Sequence, residues 1–150
     1  MSFLKADRTH RVSFTINGSA VTIEVEPWVP RERIDRAFDR FAEVEARCSR
    51  FDPCSELRAL CARPGEAVAV SAMLFGAVRF ALEVAKASGG AFDPTVGRAM
   101  QAAGFDRNYL NGHEWRDEAA DQCAGVADVI LDEQHMTVLL RRPLVLDLGA

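Results

Sequence analysis

Apolar and polar residues alternate in two short runs near the start of the chain, between residues 11 and 26. In both runs every second residue is apolar, which places these side chains on one face: Val12, Phe14, Ile16, Val21, Ile23 and Val25. Asn17-Gly18 stands between the runs, and this dipeptide favours the tight turn of a hairpin. The pattern therefore predicts two antiparallel strands.

Helical spacing replaces the alternation after Pro30. Apolar residues now recur three to four positions apart: Ile34, Phe38, Phe41, Val44 and Cys48. This period predicts an amphipathic helix from Arg31 to about Ser49. Beyond the turn at Asp52-Pro53, Ser55 and Glu56 are typical helix-opening residues and predict a short helix through Leu60.

A second long helix is predicted in the middle of the chain. It follows a short strand at residues 67–70, begins after Ser71 as N-cap and runs to about Ser88. Its inner stripe consists of Met73, Leu74, Ala77, Val78, Ala81, Leu82 and Ala85. Phe75, Phe80 and Val84 widen the apolar surface, so we expect this helix to be covered on more than one side.

A glycine-edged corner follows this helix. Gly89-Gly90 can end a helix, while Asp93-Pro94 can begin the next one, with Asp93 as N-cap and a helix over residues 96–103. Such a corner fixes backbone N–H groups and a carboxylate in one place, which suits a ligand wall. The alternative is an ordinary pair of helix caps, which is the commoner use of these residues.

The end of the chain returns to strand-like patterns. Residues 106–122 are polar and predict a loop with at most a short helix. Three apolar runs follow at residues 126–131, 136–140 and 144–148, and they predict a three-stranded meander. The whole order of elements predicts an α+β fold, in which an N-terminal β-hairpin precedes central apolar helices packed on an antiparallel sheet.

Composition excludes several classes of function. The chain has 150 residues, of which 49% are hydrophobic, and its net charge is −4, so we expect no nucleic-acid partner. No signal-like or membrane-spanning apolar run occurs, which favours a cytoplasmic location without a transmembrane segment. The cysteines (Cys48, Cys54, Cys61 and Cys123) lack metal-site spacing and are expected to be reduced; His10, His113 and His135 are expected to be isolated surface residues.

Three stretches in this order resemble a known family. They are Ser49-Arg50-Phe51 with Ser55-Glu56-Leu57, then Gly90 to Gly97 (Gly-Ala-Phe-Asp-Pro-Thr-Val-Gly), then Leu146-Asp147-Leu148-Gly149-Ala150. Together they resemble the N-terminal half of the FAD:protein FMN transferase family, also called the ApbE family. The resemblance implies that residues 1–150 are the N-terminal part of a single ApbE-like domain.

The resemblance also implies an activity. Members of the family bind FAD and Mg²⁺, transfer FMN to a Ser or Thr hydroxyl of a flavin-acceptor protein and release AMP. In a reaction of this kind the metal ion neutralises charge on the phosphate oxygens, while the protein positions the reactants. The alternative is a non-catalytic flavin-binding or assembly module that keeps the same scaffold.

Site residues are carried over position by position from the resemblance. The implied FAD contacts are Phe51, Ala91, Phe92, Asp93 and Asp147. Ala150 resembles the position whose main-chain oxygen helps to hold the metal. From the residues alone, a core aromatic is the favoured interpretation of Phe51, and Asp147 could equally cap a turn after its strand.

The family pattern continues beyond the motif at Ala150. A Lys-Gly and, later, an Asp with a Ser or Thr follow in the family, and the last two supply metal ligands. The resemblance thus implies that these 150 residues alone lack a complete Mg²⁺ site. We also expect a bare apolar surface, with weak stability or a homo-oligomer as its consequence.

Overall fold

A computed structural model of the chain describes residues 10–16, 19–106 and 123–149. The chain divides into two compact units at the boundary between Glu43 and Val44. The elements are β1 (His10–Ile16), β2 (Ser19–Val25), α1 (Arg31–Cys48), α2 (Glu56–Cys61), β3 (Ala67–Ala69), α3 (Ala72–Ala87), α4 (Gly97–Ala102), a 3₁₀ turn (Val126–Asp128), β4 (Val129–Asp132) and β5 (Thr137–Leu140).

The first unit contains the predicted hairpin. Strands β1 and β2 pair antiparallel, with Val12 opposite Ile23 on the apolar face. On the other face the hydroxyls of Ser13 and Thr22 lie 2.8 Å apart. The hairpin is confirmed, while its predicted turn at Asn17-Gly18 lies outside the described residues.

Helix α1 confirms the prediction of a helix from Arg31, but its stripe is only partly buried. Ile34, Phe38 and Cys48 are buried, whereas Phe41 and Val44 are 42% and 39% exposed. A helical period therefore placed the right residues on one face without showing how much of that face is covered.

The core of the second unit lies between α3 and a three-stranded antiparallel sheet of order β3-β5-β4. Leu74 and Val78 of α3 are buried with Val138 and Leu140 of β5. Leu57 and Leu60 of α2 belong to the same cluster. This arrangement confirms the α+β prediction of apolar helices on an antiparallel sheet.

The predicted meander at the end of the chain is wrong in its third strand. Strand β5 has β4 on one side and β3 on the other, so both of its edges are occupied before residues 144–148 are reached. These residues instead run beside the corner, where Val145 forms a parallel bridge with Val96. Leu144 and Leu146 are buried in the same core.

Both ends of α3 are as predicted. Ser71 is the N-cap, and its hydroxyl accepts a hydrogen bond from the Leu74 N–H. At the other end Gly90 N donates to Ala85 O and Gly89 N donates to Lys86 O, which is a Schellman motif. Glycine suits both positions because their φ angles are +63° and +87°.

The apolar residues that widen the surface of α3 are only partly buried. Phe75 is buried, as predicted, but Phe80 is 66% exposed. Within the ranges given above, no helix is long and apolar enough to cross a membrane. The predicted loop falls almost entirely on residues 107–122, outside the described part.

Candidate functional site

The corner after α3 is a turn held by the Asp93 side chain. Asp93 Oδ1 accepts hydrogen bonds from Thr95 N at 2.8 Å and from Thr95 Oγ1 at 2.6 Å. The prediction that Asp93 is an N-cap is wrong, because α4 begins only at Gly97 and its N-cap residue is Val96. Residues 94–96 lie between Asp93 and the helix, and two of them, Pro94 and Val96, contact the backbone of the last segment.

That bridge brings the corner against the end of the chain. Val96 pairs in parallel with Val145, Gly97 N donates to Val145 O at 3.1 Å, and Asp147 N donates to Pro94 O at 2.8 Å. We call residues 93–97 and 145–147 the junction. It places Asp93 and Asp147, far apart in sequence, on neighbouring backbone segments.

Glycine at position 97 is required by the close approach of these segments. A Cβ at Gly97 would lie 2.6 Å from both the Cγ1 and the carbonyl oxygen of Val145, well inside van der Waals contact. Gly97 is the last residue of the corner stretch that resembles the family, and close packing against Val145 explains why this position is glycine.

Asp147 is fixed by two contacts within the protein. Its Oδ1 accepts a hydrogen bond from Gly149 N at 3.0 Å, and its Oδ2 lies 2.8 Å from Arg50 Nε. The Arg50 N–H does not point along this short line, so the contact is an ion pair rather than an aligned hydrogen bond. Arg50 is only 5% exposed, whereas 18% of the Asp147 side chain is exposed, so the arginine end of the ion pair is the more deeply buried one.

Arg50 also contacts the neighbouring aromatic ring. Its guanidinium carbon lies 3.9 Å from the centroid of the half-buried Phe51 ring. The loop is held by short local bonds, since the Ser55 hydroxyl donates to Ser49 O at 2.6 Å and Phe51 N donates to Ser49 Oγ at 3.2 Å. Phe51 therefore has a cation on one face and is neither a full core residue nor a free surface one.

The matched acidic residue Glu56 serves the fold. Its carboxylate accepts hydrogen bonds from Ser71 N at 2.5 Å and Ser71 Oγ at 2.6 Å, and lies 3.2 Å from an Arg47 guanidinium nitrogen. Burial would raise the pKa of Glu56, but the bonds from Ser71 and Arg47 outweigh it and hold the pKa below its usual value. Glu56 thus ties the end of α1, the start of α2 and the start of α3 together.

A cleft of about 350 Å³ lies beside the corner. It is lined by Asp93, Thr95, Val96, Arg98, Ala99, Ala102 and Ala124. Ligand pockets typically measure about 300–1,000 Å³, so this cleft lies at the small end of that range. Phe51 and Asp147, both described, do not line it; Ala91 and Phe92 are exposed on the corner itself.

The described residues do not form a complete metal site. No group of three or more His, Cys, Asp or Glu side chains in residues 10–16, 19–106 and 123–149 could hold a metal ion. The two candidate carboxylates are already engaged, Asp93 by Thr95 and Asp147 by Arg50. Ala150, predicted from the resemblance as a metal contact, lies outside the described residues.

Histidine and cysteine positions were predicted with mixed success. His135 is not isolated, because its Nδ1 lies 2.8 Å from Asp132 Oδ2, and this contact lowers the pKa of Asp132. The spacing of three residues across the β4–β5 turn was a signal that could have found this pair. None of the four cysteines is in a disulfide within the described residues, and burial raises the pKa of Cys48.

Sequence reasoning missed Arg50. It stands inside the matched motif Ser49-Arg50-Phe51, but its partner Asp147 lies near the other end of the chain. A charged residue just past the end of α1, between the apolar residues Cys48 and Phe51, was the available signal. The motif alone could not show what the charge pairs with.

Solved ApbE structures share this fold. The ApbE protein of Thermotoga maritima matches with a TM-score of 0.76 at 25% identity, over 95% of this chain and 48% of that one. The apo flavinyl transferase ApbE of Pseudomonas stutzeri matches with a TM-score of 0.74 at 17% identity, over 95% and 47%. The flavin transferase ApbE of Vibrio cholerae matches with 0.69 at 22% identity, over 93% and 48%.

This chain therefore spans about half the length of the solved chains it matches. No curated protein sequence matches it. The model of the ApbE family matches residues 17–150, which include the corner, the Arg50 loop and the last segment. The chain belongs to the ApbE family.

Proposed function

We propose that this chain is the FAD-binding half of a flavin transferase. The complete protein would transfer FMN from FAD to a Ser or Thr hydroxyl of an acceptor protein and release AMP, with Mg²⁺ as the metal. Family membership supports this proposal, as do solved relatives that carry the name flavin transferase. Acceptor recognition, self-association and a cytoplasmic location remain parts of the proposal.

One observation carries the proposal. The three stretches that resemble the family meet in space, because Asp147 N bonds to Pro94 O and the Asp147 carboxylate pairs with Arg50. Segments separated along the chain are thereby linked by direct contacts, from Phe51 through Arg50 to Asp147, and from the Asp147 backbone to the corner at Pro94. A binding site needs convergence of this kind, in which segments far apart in the sequence bring polar and aromatic side chains together.

The residues on these segments have a suitable chemistry for FAD. The exposed ring of Phe92 and the half-buried ring of Phe51 offer apolar faces to a planar ring. The Asp93 and Asp147 carboxylates are hydrogen-bond acceptors for ribose hydroxyls or an exocyclic amine. Arg98 adds a positive charge in the cleft beside Asp93.

Magnesium would supply charge neutralisation at the pyrophosphate when bound. The described carboxylates do not make a site for it by themselves. Its ligands in this proposal include the Ala150 main-chain oxygen and residues that follow in the family pattern. The part assigned to this half of the domain is to bind and orient FAD.

The transferase activity is tested by mass spectrometry. The complete protein is incubated with FAD, Mg²⁺ and a flavin-acceptor domain, and the acceptor is expected to gain the mass of FMN less water. Reactions without FAD or with a metal chelator are the controls. FAD binding without any mass gain would reject the transferase and favour the non-catalytic flavin-binding module.

Asp147→Asn tests the site within this chain. The variant removes the charge that pairs with Arg50, so we expect weaker FAD-dependent labelling, by about tenfold, while circular dichroism shows the fold retained. Asp132→Asn is the matched control because Asp132 is exposed and contacts His135 instead. If Asp147→Asn labels the acceptor as fast as the wild type, Asp147 does not belong to the site.

A further inference from the structure

We propose that Arg50 is a positioning residue for the FAD site. This inference rests on the proposed function. It holds the Asp147 carboxylate and covers one face of Phe51, so that a planar ring of the dinucleotide stacks only on the opposite face. Arg50 itself does not contact FAD in this proposal. Its effect passes through the two residues that it orients.

The contact with Asp147 fixes the direction of the carboxylate. One oxygen lies 2.8 Å from the Arg50 Nε in an ion pair, and the other accepts a hydrogen bond from Gly149 N at 3.0 Å, so both oxygens are held by the protein. The main chain of Asp147 is held as well, through its bond to Pro94 O. A carboxylate held in this way keeps its remaining lone pairs aimed in fixed directions.

The contact with Phe51 fixes the aromatic ring. A guanidinium 3.9 Å from the ring centroid occupies that face and attracts the ring electrostatically. The ring is half-buried, which leaves part of it accessible. Arginine is suited to this double role because its planar group can stack on a ring while one edge meets a carboxylate, whereas the lysine ammonium cannot stack.

A purely structural role explains these contacts less well. The loop from Ser49 to Ser55 is already closed by hydrogen bonds between its own serines and backbone. A buried ion pair is also a poor device for stability, since apolar residues of similar volume often stabilise as well. What distinguishes Arg50 is that both groups it touches, Phe51 and Asp147, are FAD contacts implied by the family resemblance.

The test uses the complete protein with Arg50→Met, Arg50→Lys and Phe51→Leu. Arg50→Met is expected to weaken FAD binding by about tenfold or more, as loss of a supporting residue does behind other binding groups. Arg50→Lys keeps the charge beside Asp147 but loses the stack, so its affinity should fall between those of Arg50→Met and the wild type. The KM for FAD should rise while kcat changes little.

Double substitution separates positioning from simple destabilisation. The fold-change in FAD affinity of the double variant should be smaller than the product of the fold-changes of Arg50→Met and Phe51→Leu alone, because the arginine acts partly through the ring. Independent effects would overturn the stacked arrangement. Thermal unfolding of every variant, with the buried Arg58→Lys as matched control, identifies losses due to unfolding alone.

The outcomes are distinct. Folded Arg50→Met and Arg50→Lys proteins that bind FAD as the wild type does would overturn the role of Arg50 and leave the proposed function intact. A wild-type protein that fails to bind FAD would instead overturn the proposed function and this inference with it. If Arg50→Met does not fold, Arg50→Lys decides by comparison with the wild type: weaker FAD binding by the folded variant supports the role of Arg50, and unchanged binding overturns it.

Discussion

At the scale of single residues, Glu56 shows how a motif residue can support the fold. Its two carboxylate oxygens receive the backbone N–H and the hydroxyl of Ser71 and approach Arg47. Ser71 in turn caps α3. A charged acceptor at this position thus stabilises the start of the central helix, which explains the Ser-Glu-Leu part of the motif by structure alone.

The depressed pKa of Glu56 gives a pH prediction. Because the folded-state pKa is below the usual 4.5, the carboxylate contributes stability above that value and loses it as pH falls through the folded pKa. Glu56→Gln should therefore lower the free energy of unfolding by about 1–3 kcal/mol at pH 7 and by less near pH 3.

Urea unfolding at a series of pH values checks this expectation. Glu83→Gln is the control, since Glu83 is exposed and lies 3.9 Å from Arg79 in an ion pair. Its effect should stay within about 0.5 kcal/mol at either pH. A Glu56→Gln effect that does not shrink on acidification would contradict the role assigned to the charge.

At the scale of elements, the junction depends on how closely α4 and the last segment approach. Val96 and Val145 pair in parallel directly before α4 begins, and the Gly97 N–H completes the contact. Glycine at position 97 permits this distance because it has no Cβ. The last apolar run can therefore lie outside the sheet and still form some of its backbone hydrogen bonds.

Gly97→Ala tests this close approach. The new methyl group would overlap Val145, and we expect the free energy of unfolding to fall by about 1–3 kcal/mol. The junction should also shift, so FAD affinity should fall in the folded protein. Denaturant unfolding and an FAD titration measure the two effects.

Gly76→Ala is the matched control in the interior of α3. A Cβ there meets nothing within 4 Å, and alanine favours the helix, so stability should rise by about 0.5–1 kcal/mol. Equal effects of the two substitutions would show that helix propensity, and not the contact with Val145, governs position 97.

At the scale of the whole molecule, the last segment is part of the core although it belongs to no sheet. Leu144 and Leu146 are buried with residues of α2, α3 and β5. The same segment presents Asp147 to Arg50. Core packing and site geometry are therefore coupled, because one short stretch supplies both.

Leu146→Ala measures the contribution of this segment. The side chain is fully buried, so its truncation should destabilise the protein by about 2–5 kcal/mol. Phe80→Ala removes a larger side chain that is 66% exposed, and its effect should stay within about 1 kcal/mol. Chemical denaturation of both variants makes the comparison; a small effect of Leu146→Ala would place residues 144–148 outside the core.

Local signals in the sequence identified most elements. The alternation around Val12 and Val21, the period of α1 and the caps Ser55 and Ser71 each depend on neighbours within a few residues, and each was confirmed. The predicted N-cap at Asp93 failed because the same residue can also close a turn with Thr95, and local propensity does not choose between the two.

By itself the sequence determined the hairpin, the helices, the Gly-Gly helix end and the resemblance to the ApbE family, because these follow from short-range pattern and motif. Only the tertiary structure decided that β3 occupies the edge of β5, that residues 144–148 turn to the corner, and that Arg50 meets Asp147. The physical reason is that strand order and ion pairing are set by competition for partners across the whole fold, which no local stretch of residues encodes.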